Sequence, residues 1–169
     1  MRKKIILLLF FLIIIAIGIS YWVMQNNIFP QSENKIKKLA IQAQQKVNYT
    51  IYLPNYIPEN LYIDFFQSKY DTTTIFFYTK DKEPQINMVI NPLEWKDQFL
   101  KGPYVGERQY LKEIAINNFN GKTYLYKDRP GLYIQDKKTF ITISVSNTSS
   151  RKFTEDELIK IAESLYKPK

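Results

Sequence analysis

Phe140-Ile141-Thr142-Ile143-Ser144-Val145-Ser146, followed after a short loop by Thr154-Glu155-Asp156-Glu157-Leu158, is the stretch that decides the fold class. In its first part Ile141, Ile143 and Val145 fall on one side of an extended chain and Thr142, Ser144 and Ser146 on the other. That alternation belongs to an antiparallel strand with one solvated face. In its second part Thr154 and Glu157 have the spacing of a capping box. Leu158, Ile161, Ala162 and Leu165 then recur at helical spacing, and Pro168 stops the run. A strand ladder followed by an amphipathic helix able to cover it predicts an α+β domain, mainly antiparallel sheet, with the C-terminal helix on one face.

Upstream, the same period of two continues in short segments separated by turn residues. Val47 to Leu53 places Tyr49, Ile51 and Leu53 together, and Leu61 to Tyr70 places Leu61, Ile63 and Phe65 together. Thr73 to Lys80 and Gln85 to Asn91 follow, joined through Asp81, Lys82, Glu83 and Pro84, with Ile86, Met88 and Ile90 on one side. Lys112 to Phe119 and Lys122 to Lys127 flank Asn120-Gly121, a dipeptide suited to a tight hairpin. Leu132 to Gln135 completes the set. The long connection from Asn91 to Gln109 opens with Asn91, Pro92 and Glu94 at spacings suited to cap, N1 and N3 of a short helix. Gly102-Pro103 and Gly106 then read as open loop.

The N-terminus carries a different signal. Ile5 to Met24 is a run of twenty uncharged residues directly after Arg2, Lys3 and Lys4. At about 1.5 Å per residue it reaches across the roughly 30 Å hydrocarbon core of a bilayer, with Tyr21 and Trp22 near its outer end. A cleaved secretory signal is the rival reading, with Gly18 and Ser20 as the small residues of a cleavage site. The flank from Gln25 to Asn34 holds no Lys or Arg, so the charge asymmetry predicts a cytoplasmic N-terminus and an exported body in the cell membrane. Three segments are expected: a stub and single transmembrane anchor over 1–24, a stalk over 25–46, and an extracytoplasmic domain over 47–169. Within the stalk Ile36, Leu39, Ala40, Ala43 and Val47 predict a short amphipathic helix over about Asn34 to Lys46.

Composition closes off several functions. The net charge of +8 divides as +3 in residues 1–24, +3 in 25–46 and only +2 in 47–169. The excess therefore flanks the expected membrane segment, where anionic headgroups attract lysine, and no nucleic-acid partner is expected. There is no Cys and no His. Disulfides, a lipid-modified cysteine, thiolate nucleophiles, imidazole bases and the common zinc sites are thereby removed. Ser32-Glu33-Asn34-Lys35 and Ser149-Ser150-Arg151-Lys152 fit Ser-x-x-Lys without any supporting motif. Asp64, Asp71 and Glu94 are scattered. No catalytic residue, cofactor or metal is expected.

Three segments in order carry a resemblance: Tyr52-Leu53-Pro54-Asn55-Tyr56-Ile57-Pro58-Glu59-Asn60-Leu61, then Ile116-Asn117-Asn118-Phe119-Asn120-Gly121-Lys122-Thr123-Tyr124-Leu125-Tyr126, and Thr154 to Leu165. Together, over about residues 47–166, they resemble an uncharacterised extracytoplasmic domain of Gram-positive bacteria. That domain typically follows a single membrane helix, including in some membrane-bound anti-sigma factors and sporulation-associated proteins, and is distantly similar to lipoprotein-carrier-like sheet proteins. The resemblance implies a sheet-based domain outside the membrane and transfers no catalytic residue. Only Met1 to Lys4 precede the apolar run, so a sigma-binding region before the membrane is not expected in this chain.

The candidate partner surface is aromatic. Trp95, Phe99 and Tyr104 lie in the long connection, where loops carry function; alternatively Trp95 and Phe99 anchor the short helix to the sheet. Tyr124 and Tyr126 share a strand face and suit stacking on a glycan or lining a greasy groove, or serve simply as good strand formers. Leu53 to Glu59, with Pro54 and Pro58, reads as a shaped connection or a rigid recognition loop. The expected function is a membrane-anchored, non-enzymatic binding or sensing domain for a protein, lipid or other envelope component. A structural subunit of a larger membrane complex is the alternative, and an envelope enzyme comes third.

Overall fold

Period-two alternation carries most of residues 62–145 into sheet. The computed structural model describes residues 34–69, 71–102 and 105–169. The expected membrane segment Ile5–Met24, the stalk as far as residue 33, and Tyr104 lie outside the described residues. Among the described residues no helix is long and apolar enough to cross a membrane.

Helix α1 covers residues 34–44. The strands follow as β1 (Leu53–Pro54), β2 (Tyr62–Lys69), β3 (Thr72–Tyr78) and β4 (Pro84–Pro92). Helix α2 (Trp95–Lys101) and a 3-10 turn (Val105–Glu107) lead to β5 (Arg108–Ile116), β6 (Phe119–Tyr126), β7 (Arg129–Gln135) and β8 (Thr139–Val145). Helix α3 (Glu155–Glu163) and β9 (Leu165–Tyr166) end the chain. Seven strands form one sheet in the order β2-β3-β4-β8-β7-β6-β5, all neighbours antiparallel, and β1 pairs separately with β9. The connection through α2 carries the chain from the middle of the sheet to its far edge, and β5 to β8 then return as a meander.

One face of this sheet is the core. Ile75 and Phe77 on β3, Ile86, Met88 and Ile90 on β4, Leu132 and Ile134 on β7, and Ile141 and Ile143 on β8 are all sealed from solvent. Over them pack Ile36, Ala40 and Ala43 of α1 and Leu158, Ile161 and Ala162 of α3. Leu158, Ile161 and Ala162 of the expected stripe lie in α3 while Leu165 falls in β9, and the capping box forms as expected: Thr154 Oγ1 accepts from Glu157 N, and Glu157 Oε2 accepts from Thr154 N at 2.9 Å.

Several expectations are corrected. The segment expected as a strand over Val47 to Leu53 is strand only at Leu53–Pro54. Tyr49, Ile51 and Leu53 are buried, but Tyr52 is buried as well, so both sides of the segment are enclosed and the expected alternation is lost. Its backbone is served by the Gln44 side chain, which donates to Tyr49 O at 2.8 Å and accepts from Ile51 N at 2.7 Å. In β2 the register shifts between Ile63 and Phe65, so Phe66 packs against the core and the strict alternation breaks. Asn91 does not cap α2. It lies in β4 and accepts a hydrogen bond from Thr72 at 2.9 Å, while Glu94 stands at the N-cap without a side-chain cap bond.

The β5–β6 hairpin turns at Asn117-Asn118, with Asn117 at φ 52°, and Asn120-Gly121 lies inside β6. Gly121 answers a different need. A Cβ there would come within 1.9 Å of Tyr133 O on the neighbouring strand, which only glycine allows. The next hairpin, β6–β7, turns at Lys127 and Asp128, both at positive φ (50° and 59°), as a tight two-residue hairpin demands. Helix α3 ends at Glu163, before Pro168, because the chain turns at Ser164 into β9 to pair with β1. There Ser164 O accepts from Asn55 N and Ser164 Oγ from Tyr56 N. With Arg151 donating to Glu59 O, these bonds tie the Leu53–Glu59 segment to the two ends of α3.

Candidate functional site

The second face of the sheet departs from the clean solvated surface that alternation implies. Phe140 is fully buried, Thr142 is 8% exposed, and Tyr124 and Tyr133 are buried. Register explains how these residues meet. One cross-strand row runs Tyr110, Tyr124, Gly131, Ser144, Asn87 and Phe76 across six neighbouring strands. The row beside it places Lys122, Tyr133, Thr142 and Val89 in line. Gly131 is small for a reason: a Cβ there would stand 2.5 Å from the ring of Tyr124, so the glycine lets that ring lie over β7.

Helix α2 sets Phe99 onto this surface. Its ring centroid lies 5.2 Å from Phe140, 5.9 Å from Tyr133 and 6.1 Å from Tyr124, while Tyr110 meets Tyr124 and Tyr133 edge-on at 6.4 and 6.3 Å. Arg108, at the start of β5, stacks its guanidinium 3.7 Å from the Phe99 ring and donates to Phe99 O at 2.8 Å. The contact holds α2 to the edge of the sheet and places a permanent cation among aromatic rings.

Beside this cluster opens a groove of about 490 Å³. Phe99, Tyr124 and Tyr126 form an aromatic wall, Asn87, Thr142 and Ser144 a polar floor, and Arg108, Lys127 and Arg129 the charged lining. None of the described residues lining it is a carboxylate. The nearby Glu107 reaches Lys127 Nζ at 3.6 Å. Arg129 is oriented by the carbonyls of Ser146 and Ser149, to which its guanidinium donates. Asn87 Oδ1 is buried and has no hydrogen-bond partner among the described residues.

Burial pushes the Tyr124 phenol up to about 12, against the opposing pull of Arg108, and burial likewise raises Tyr133. A hydrogen bond to Tyr126, together with Glu107, raises Lys127. Raised values favour the neutral phenols of Tyr124 and Tyr133 and the charged ammonium of Lys127.

Of the residues singled out from sequence, the structure brings together Phe99, Tyr124 and Tyr126. Trp95, 38% exposed, lies outside the ring cluster, so of the pair on α2 only Phe99 anchors the helix. Tyr104 lies outside the described residues. Sequence reasoning passed over Arg108, Lys127, Arg129, Tyr133, Phe140 and Asn87. The parity of Arg108 with Tyr110, and of Tyr124 with Tyr126, was the available signal for the first of them. Ser149 of the second Ser-x-x-Lys match is structural, donating to Gln85 Oε1 at 2.6 Å. Among the described residues no group of three or more His, Cys, Asp or Glu gathers to hold a metal ion.

Residues 51–165 match the model of a family described as a domain of unknown function (DUF4367). No curated protein and no solved structure matches the chain significantly.

Proposed function

The chain belongs to the DUF4367 family of domains of unknown function, and from that premise we propose that it is a non-enzymatic binding domain. In this reading the domain is held at the outer surface of the cell membrane by the apolar segment Ile5–Met24, with its N-terminus in the cytoplasm, and engages an envelope component through the second face of its sheet. The observation that carries the reading is the groove beside Phe99. Aromatic wall, polar floor and cationic lining converge there within a volume that falls in the ~300–1,000 Å³ range of ligand clefts. The sequence supports binding over catalysis, since with no His and no Cys it lacks the usual base and the strongest nucleophile.

The test takes the full-length chain from its own host membrane in native nanodiscs and weighs it by native mass spectrometry. A retained ligand is expected on the wild-type chain and at least tenfold less of it on Phe99→Ala, which removes one wall of the groove. Retention untouched by that change places the ligand elsewhere, and turnover of the ligand defeats the non-enzymatic reading. External protease should degrade residues 47–169 in intact cells; protection of that region would contradict the orientation.

A further inference from the structure

We propose that the groove takes an anionic saccharide, an inference that rests on the binding reading above and narrows it to one ligand class. Three features of the lining select this chemistry together. The charge selects an anion: Arg108, Lys127 and Arg129 face the groove and no described lining residue carries a negative charge. Arg108 in particular presents a planar guanidinium whose ring partner and single carbonyl bond hold it in place, the arrangement that favours forked recognition of carboxylate or phosphate.

The floor selects a hydroxyl-bearing ligand. Ser144 and Asn87 are direct cross-strand partners, and Thr142 lies two residues along β8 on the same face. Asn87 Oδ1 is a buried acceptor with no donor among the described residues, so a ligand hydroxyl reaching it would offset the desolvation of that oxygen. The walls select a ring with an apolar face, because the half-buried ring of Tyr126 lines the groove and leaves aromatic surface on which the C–H face of a sugar stacks.

Other anionic ligands fit less well. An acyl chain would be laid on hydroxyl and amide groups instead of on apolar carbon, so a lipid gains little by entering. A peptide binding as an added strand needs a free sheet edge. The floor strands β4 and β8 are each paired on both sides, so their main-chain groups are already used.

The experiment uses the full-length chain in phosphatidylcholine nanodiscs and isothermal titration. The probes are digalacturonate and glucose 6-phosphate, with maltose as the neutral control. At least one acidic sugar is expected to bind at least tenfold more tightly than maltose, and which one binds identifies the anion as carboxylate or phosphate. Arg108→Gln with Lys127→Gln should weaken that binding at least tenfold, and so should Ser144→Val, which fills the floor without touching a charge. The circular dichroism melt of each variant shows that it is folded. Equal binding of maltose, or acidic binding indifferent to both changes, overturns the inference.

Two further probes separate its failure from failure of the binding reading. These are an oligoglutamate peptide and nanodiscs containing phosphatidylglycerol. If either engages the wild-type chain, loses affinity in the same variants, and no sugar binds, the groove is a binding site and the saccharide assignment is wrong. If no anionic probe binds, the saccharide inference fails while the retained-ligand measurement decides the broader reading.

Discussion

On one face of the seven-stranded sheet, aliphatic side chains of β3, β4, β7 and β8 are sealed beneath α1 and α3. On the other face the same strands present Phe76, Asn87, Ser144 and Tyr133, joined by Tyr124 of β6, and α2 covers part of it. The first arrangement is non-directional and forgiving of which aliphatic residue fills a position, because transfer from water dominates it. The second depends on register, since a one-residue slip of β6 against β7 would remove Gly131 from beneath Tyr124. The contrast separates the part of the molecule that makes it fold from the part free to recognise something.

Adjacent phenylalanines on β3 test that contrast most strongly. Phe77 points into the core with no exposed surface and Phe76 lies half-buried on the opposite face. Phe77→Ala is expected to cost about 3–5 kcal/mol, lost transfer energy plus a cavity in the packed core. Phe76→Ala should cost under about 2 kcal/mol, because a half-buried ring forfeits only part of its transfer free energy. Urea unfolding followed by far-ultraviolet circular dichroism gives both values. Equal losses would mean that the two faces are not energetically distinct.

The packed face was largely legible from sequence, and the reason is local. Ile141, Ile143 and Val145 declare their side by alternation, and Thr154 with Glu157 declares a helix start within four residues. What was misread depends on the neighbouring strand. Gly121 looked like a turn glycine because the approach of Tyr133 O, its real cause, is set by a strand twelve residues away. The turns themselves use Asn117, Lys127 and Asp128, residues that accept positive φ when pairing on both sides compels it. The groove was hidden for the same reason. Arg108, Arg129, Ser144 and Asn87 are far apart along the chain, and only the order β4-β8-β7-β6-β5 lines them up.

Acid should act on the two ends of the packed layer before it acts on the groove. Burial alone would raise Asp136, but hydrogen bonds from Tyr52 at 2.7 Å and from the backbone of Lys138 and Thr139 outweigh it and hold the carboxyl below its ordinary value. Glu157 is likewise lowered: burial opposes, and the capping box and Arg151 prevail. Groups depressed in the folded state contribute stability that is complete above their unfolded values and lost as pH falls through the folded ones. Urea midpoints should therefore hold steady from pH 7 to about 5 and decline below about pH 4, where ordinary carboxylates take up protons. Asp136→Asn should lower the plateau and flatten the decline. A variant that keeps the full acid slope would show that other carboxylates set it. The groove, with no carboxylate among its described lining residues, is expected to add nothing to this slope.

The smallest effect is expected at Trp95, where large size and slight energetic weight coincide. Trp95 and Phe99 stand four apart on α2, the spacing that puts two residues on one helix face, yet only Phe99 reaches the ring cluster. An indole with 38% of its surface in solvent and no place in that cluster has little to lose. Trp95→Ala should therefore change the unfolding free energy from urea titration by no more than about 0.5 kcal/mol, the usual range for exposed positions. A loss above about 1.5 kcal/mol would mean that α2 is held by both aromatics and that the second face is a second core. In that event the distinction between the two faces would be one of degree, with the groove a gap in a packed layer.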